Sequence, residues 1–172
     1  MSNRPLTGGY GVVDIPGWFG WNIRHFTHSR FDHAFVILDA DAGTILEARP
    51  GGARISNLSE YAGLPMLFSD DAISRPFVSE KWKLHPSPHQ LTNMAEQRYV
   101  SVGYGYLDIV LLGLEVTFRY TPRWLDRYVL DEHRMICSQL VADFGRRYLM
   151  DWNCGQSSPQ FVTPGLLARR IK

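Results

Sequence analysis

Residues 33–49 read as one β-hairpin, and that hairpin constrains the fold more than any other segment. His33-Ala34-Phe35-Val36-Ile37-Leu38 is a nearly continuous apolar run, the pattern of a strand covered on both faces. Asp39-Ala40-Asp41-Ala42-Gly43 is turn chemistry, since Asp and Gly tolerate left-handed backbone. Thr44-Ile45-Leu46-Glu47-Ala48-Arg49 is the return strand, and Pro50-Gly51-Gly52 ends it. A strand buried on both sides requires further layers, so the chain needs helices as well as a sheet.

The rest of the sequence supplies them. Tyr10–Ile15 reads as a strand, followed after a Pro-Gly turn by a loop or short helix around Trp18–Ile23. Arg54-Ile55-Ser56 reads as a further short strand. Ser56 or Asn57 is placed to cap a short helix holding Leu58, Glu60 and Tyr61. Residues 72–84 alternate weakly, as an edge strand containing Pro76 would. Ser87-Pro88 is a helix entry, with Leu91, Met94, Ala95, Arg98 and Tyr99 at helical spacing. Residues 106–115 read as a buried helix, and Pro122 opens an amphipathic segment to about Leu130. Cys137 to Met150 is a helix with Leu140, Val141, Phe144, Tyr148 and Leu149 on one side. Thr163 caps a short helix over 164–168. With 172 residues and no repeat, linker or low-complexity tract, residues 1–172 are expected to form a single α+β domain.

Charge excludes some partners. The net charge is +1, so nothing electrostatic points to nucleic acid or an anionic membrane surface. No window approaches the length of a membrane span, and Met1–Tyr10 lacks the apolar core of a signal peptide. A cytoplasmic protein is expected as synthesised, or a phage product released by other means. The two cysteines, Cys137 and Cys154, allow one disulfide by count. However, Cys137 opens a buried helix and Cys154 falls in a polar loop.

Three residues carry chemistry in combination. A thiolate is the reactive form of cysteine, and both a helix N-terminus and a neighbouring imidazolium favour it. Cys137 opens its helix, His33 opens a strand, and Glu47 stands fourteen positions after His33 on the return strand. In these roles Cys137 is a nucleophile, His33 its base and then acid, and Glu47 the residue that holds the imidazole. The backbone N–H of Cys137 would bind an oxyanion. Whether His33 and Glu47 share a face depends on the turn register. Taken singly, each has an ordinary reading: Cys137 as a small core residue, His33 as a structural strand residue, Glu47 as a surface charge.

His25, His28 and His33 match no standard zinc spacing, so no metal is expected, nor any cofactor. His85, His89 and His133 read as solvated surface, and Asp108 and Asp143 as helix-surface or capping groups. Trp18, Phe19 and Trp21 would line a substrate cleft or form a satellite cluster. Tyr104 and Tyr106 would touch substrate or pack in the core. Nothing beside Cys154 would activate its thiol.

The segments also resemble a known family. His33–Leu38, a turn and Ile45-Leu46-Glu47-Ala48 resemble the His-Val-Gly-Ile…Ile-(His/Glu)-Ala hairpin of the NlpC/P60 papain-like superfamily. Ile23 to His33 resembles the Ile-x-x-x-Thr-x-Ser-x-Tyr-x-His approach of its circularly permuted branch. Ile136-Cys137-Ser138-Gln139-Leu140-Val141 resembles the branch's Cys-Ser-x-Leu-Val nucleophile helix. Tyr104-Gly105-Tyr106-Leu107-Asp108 resembles its Tyr-Asp-Tyr helix start, and Phe161–Ala168 its closing Thr-Pro-x-Asp-Leu segment. The match runs from about residue 10 to 168 in the permuted order His, Glu, Cys. It departs at Phe35, where a small residue is usual, and at Gly165, where Asp is usual. The resemblance implies an antiparallel sheet or partial barrel packed on a nucleophile helix. It also implies Cys137, His33 and Glu47 as catalytic residues; Tyr104, Tyr106 and Trp21 are the substrate-binding candidates from the residues themselves. The implied activity is a cysteine hydrolase acting on a peptide or peptidoglycan fragment. Two alternatives stay open: an acyltransferase or esterase taking an acyl-lipid, and a catalytically silent binding module.

Overall fold

The computed structural model describes residues 4–27, 29–69, 86–100, 102–104, 134–149 and 162–171. These form an α+β fold whose centre is a five-stranded antiparallel sheet. Its strands are β1 (Tyr10–Val13), β2 (His33–Asp39), β3 (Thr44–Arg49), β4 (Gly52–Asn57) and β5 (Met66–Phe68), in the order β4-β3-β2-β1-β5. The helices are α1 (Trp18–Thr27), α2 (Pro88–Arg98), α3 (Cys137–Phe144) and α4 (Pro164–Ala168). A short parallel pair, β6 (Gly103–Tyr104) and β7 (Arg134–Met135), leads into α3.

The predicted hairpin forms with the expected bounds. Six of the seven β2 residues are buried, because both faces of the sheet are covered. On one face Val12, Ala34, Val36, Leu38, Leu46 and Ala48 pack against Leu140, Val141 and Phe144 of α3 and Leu91, Ala95 and Tyr99 of α2. On the other, Val13, Phe35, Ile37, Ile45 and Phe68 pack with Tyr61. The turn closes as its composition requires: Asp39 Oδ1 accepts from the backbone N–H groups of Asp41 and Ala42 at 3.0 and 3.1 Å. The next turn is tighter, with Arg49 paired to Gly52 and Gly51 at φ +113°, a conformation that favours glycine. It lets β4 start at Gly52, earlier than the strand read around Arg54–Ser56.

Local capping also follows the sequence. Asn57 caps a 3₁₀ turn over Leu58–Tyr61 by accepting from Ser59 N–H. Ser87 and Gln90 form a reciprocal capping box at the start of α2. Thr163 Oγ1 accepts from Leu166 N–H at 3.1 Å to start α4.

Several expectations change. Trp18–Thr27 is a ten-residue helix, where the sequence left a loop or short helix. Helix α3 ends at Phe144 and continues as a π-helical turn over Gly145–Leu149. All eight α3 residues are buried, so it has no solvent face. Asp143, expected at a surface, is therefore inside, where it accepts from Tyr99 Oη at 2.7 Å and pairs with Arg147. The strand read over 72–84, the helix over 106–115 and the segment opening at Pro122 lie outside the described residues.

Phe35 and Gly165 each have a packing reason. The Phe35 ring lies over Gly11, whose backbone it opposes across the β1–β2 ladder. A Cβ on Gly11 would stand 2.5 Å from two Phe35 ring carbons. A Cβ on Gly165 would already stand 2.7 Å from Ser29 Cβ, so α4 docks on residue 29 only without a side chain there. Gly11→Ala is expected to destabilise the fold by about 1–3 kcal/mol, because the fully buried Phe35 ring has no room to yield. Urea unfolding checks this through a lower midpoint at unchanged slope.

Candidate active site

The strand register answers the question that the sequence left open. Phe35 stands opposite Glu47 across the β2–β3 ladder. Side chains alternate along a strand, so His33, two residues before Phe35, shares its face and is the diagonal neighbour of Glu47. The two side chains meet, with His33 Nε2 and Glu47 Oε2 2.7 Å apart. His33 is buried and Glu47 is wholly so.

The carboxylate is saturated with donors. Tyr61 Oη donates to Oε2, the oxygen that His33 uses. Ser56 Oγ donates to Oε1 at 2.7 Å, and Arg54 Nε donates to Oε1 at 3.0 Å. Local structure explains the set. Arg54 opposes Glu47 on β4, and Ser56 lies two residues further along the same face. Tyr61 arrives through the Asn57-capped turn, with its ring stacked on Phe35 at 5.7 Å and 7°. Sequence reasoning took Tyr61, Arg54 and Ser56 only as parts of local elements. The signal was the Pro50-Gly51 turn, which sets Arg54 across from Glu47.

Cys137 comes to the site from the other side. It is the first residue of α3, a free thiol and buried. Its Sγ lies 4.0 Å from the backbone carbonyl oxygen of Asp32, the residue before His33. Its charge acts on the neighbouring His33 imidazole. With Nε2 turned to Glu47, Nδ1 is the ring nitrogen that remains for sulfur. The helix start is anchored three ways. Gln139 Oε1 accepts from Ile136 N–H at 3.1 Å, Ser138 Oγ donates to Val162 O at 2.6 Å, and Leu140 N–H makes the first intrahelical bond to Ile136 O. The N–H groups of Cys137 and Ser138 precede that bond, at the positive end of the helix.

The start of β2 is held by a second cluster. Arg24 of α1 bridges Asp14 and the buried Asp32, and Asp32 Oδ1 accepts from Ile15 N–H at 3.0 Å. Burial raises the Asp32 carboxyl above its usual range, against the Ile15 bond and the Arg24 charge.

The electrostatics of the central pair are opposed and large. Burial alone would push the His33 imidazole down. The negative charge and hydrogen bond of Cys137, then the hydrogen bond and charge of Glu47, outweigh it and raise the imidazole to about 9. Burial would likewise push Glu47 up. The hydrogen bond and charge of His33, then the bonds from Ser56 and Tyr61, bring it down to about 2. The result is a buried imidazolium–carboxylate pair beside a sulfur, a set of groups able to deliver a nucleophile and move one proton. Tyr61, pushed up by burial and by Glu47, stays a neutral donor.

The remaining candidates stand elsewhere. Trp21 is 55% exposed on α1 and stacks on His25 at 5.2 Å. No described contact joins it to His33, Glu47 or Cys137. Tyr104 ends β6 and pairs with Met135, two residues before Cys137, so its backbone lies beside the approach to α3. Tyr106, Cys154, His28, His85, His133 and Asp108 lie outside the described residues. His89 is exposed, in line with a surface role. Among the described residues no group of three or more His, Cys, Asp or Glu side chains is arranged to hold a metal ion. Nor is any described helix long and apolar enough to cross a membrane.

No protein-family profile matches this chain, and no curated protein matches it.

Proposed function

We propose that the chain is a thiol hydrolase of the circularly permuted NlpC/P60, papain-like kind. It cleaves an amide bond through an acyl-enzyme on Cys137. The observation that carries this reading is the 2.7 Å contact of His33 with a four-donor carboxylate, with the Cys137 sulfur 4.0 Å from the carbonyl oxygen of Asp32, the residue before His33. In acylation the sulfur adds to the carbonyl carbon, and the displaced electron pair forms an oxyanion facing the N–H groups at the start of α3. As the tetrahedral species collapses, the C–N bond breaks and His33 gives its proton to the leaving amine. Water then attacks the thioester and His33 takes one of its protons; as the tetrahedral species collapses the C–S bond breaks, the acid leaves, and the Cys137 thiolate is restored beside the His33 imidazolium. Glu47 holds the ring and balances its charge throughout.

The substrate proposed first is a peptidoglycan stem peptide. Incubation with muropeptides, and with p-nitrophenyl esters of rising acyl length, separates this from an acyl-lipid substrate. Turnover that grows with chain length and spares muropeptides would assign the lipid class instead. The chemistry itself is tested by thiol labelling, because an imidazolium beside a sulfur favours the reactive thiolate. Iodoacetamide is expected to label Cys137 stoichiometrically near pH 6. His33→Ala is expected to slow this by about 10-fold or more. Labelling confined to pH above 8, with no effect of His33→Ala, would mark a silent binding module.

A further inference from the structure

Four hydrogen bonds and one further ion-pair contact converge on the two oxygens of Glu47. His33 Nε2 and Tyr61 Oη share Oε2, while Ser56 Oγ, Arg54 Nε and an Arg54 terminal nitrogen, at 2.9 Å, share Oε1. Of these partners Arg54 is the most exposed, Ser56 is half-buried, and His33 and Tyr61 are buried. Arg54 is 45% exposed on its side chain, and the same nitrogen meets Glu60 Oε2 at 2.6 Å. Glu60 in turn pairs with Arg49 at 3.2 Å, and the Arg49 guanidinium lies 5.6 Å from the centre of the Tyr61 ring. Tyr61 is thereby held between Phe35 and Arg49, with its hydroxyl aimed at Oε2. A chain of charged groups thus runs from the surface to the carboxylate behind His33.

We propose that Arg54 and Tyr61 are positioning residues that draw negative charge away from Glu47 and so govern how readily His33 gives up its proton. The inference rests on His33 being the proton carrier of the proposed hydrolase. Its physical basis is charge sharing. A carboxylate with fewer donors concentrates its charge on those that remain, and an imidazolium held by it becomes a weaker acid. Such an acid would protonate a leaving amine more slowly. The groups facing His33 are Glu47 from β3, Cys137 from α3 and Tyr61 from the 3₁₀ turn, with Asp32 its chain neighbour. Arg54, Glu60 and Arg49 act on it through Glu47 and Tyr61.

The test is the titration of the His33 ring by NMR in the full chain. It compares wild type with Arg54→Met, Arg54→Lys and Tyr61→Phe. Arg54→Met and Tyr61→Phe are each expected to raise the His33 midpoint by about half a pH unit. Arg54→Lys, which keeps the cation but loses the fork, is expected to fall between wild type and Arg54→Met. A purely structural role would lower thermal stability and leave the titration where it was. A midpoint that stays or falls in Arg54→Met overturns the role of Arg54, and the same result in Tyr61→Phe overturns that of Tyr61. Iodoacetamide labelling of the wild type and His33→Ala separates the two levels of inference. A shifted titration without His33-dependent labelling leaves the tuning and removes the hydrolase. His33-dependent labelling with an unshifted titration does the reverse.

Discussion

Cys137→Ala is expected to lower turnover of an amide substrate by on the order of 10⁴-fold or more, with the fold retained. The substitution removes one sulfur atom and leaves a methyl group at the first position of α3. The helix start does not depend on that atom. Gln139, Ser138 and the Leu140–Ile136 bond anchor it independently. His33 loses one favourable charge and keeps the other, its 2.7 Å bond to Glu47. The reaction has no substitute nucleophile there, because the neighbouring Ser138 hydroxyl is committed to Val162 O. His33→Ala is expected to reach a similar floor, and the double variant to be no slower than either single one. Groups that act on one proton and one bond fail together. Steady-state rates of the three variants, with circular dichroism as the control for folding, check this. Additive losses would mean that Cys137 and His33 act separately.

How far the sequence revealed this arrangement differs from residue to residue. The β2–β3 hairpin was legible because its signal is local: a buried run, a turn rich in Asp and Gly, and a return strand. The same holds for the caps at Ser87 and Thr163, where the partner lies three residues away. The site was legible as three residue types in a plausible order, but the register was not, because pairing Phe35 with Glu47 depends on a shift between Ile37 and Asp39. Long-range contacts stayed hidden. Asp143 read as a surface group because helices usually keep a solvent face, whereas α3 is enclosed on all sides. Tyr61 read as part of a short helix, since only the closed structure carries its hydroxyl fourteen residues back to Glu47. Phe35 stands where the resembling motif has a small residue. Gly11, distant in sequence, makes its room and lets it serve as the floor on which Tyr61 stacks.

Glu47→Ala is expected to cost about 3–5 kcal/mol of stability, the largest loss for any single polar side chain of the site. The reason is what it leaves behind. Glu47 is fully buried, and its removal strands the donors of His33 and Tyr61 in the interior. Arg54, being 45% exposed, can turn to water. The pH dependence identifies the mechanism. Glu47 is brought down to about 2, so its contribution is present above the ordinary carboxylate value of 4.5 and is lost as pH falls toward 2. His33 is raised to about 9 from 6.5, so its contribution is complete below 6.5 and is lost as pH rises through 9. Cys137 supplies the larger part of the His33 shift and Glu47 the rest, so the loss in Glu47→Ala is greatest between about pH 4.5 and 6.5 and narrows on either side. Denaturant unfolding of wild type and variant from pH 3 to 10 measures that difference directly. A difference independent of pH would mean that Glu47 stabilises by packing alone, and that His33 is neutral where the proposed chemistry needs it charged.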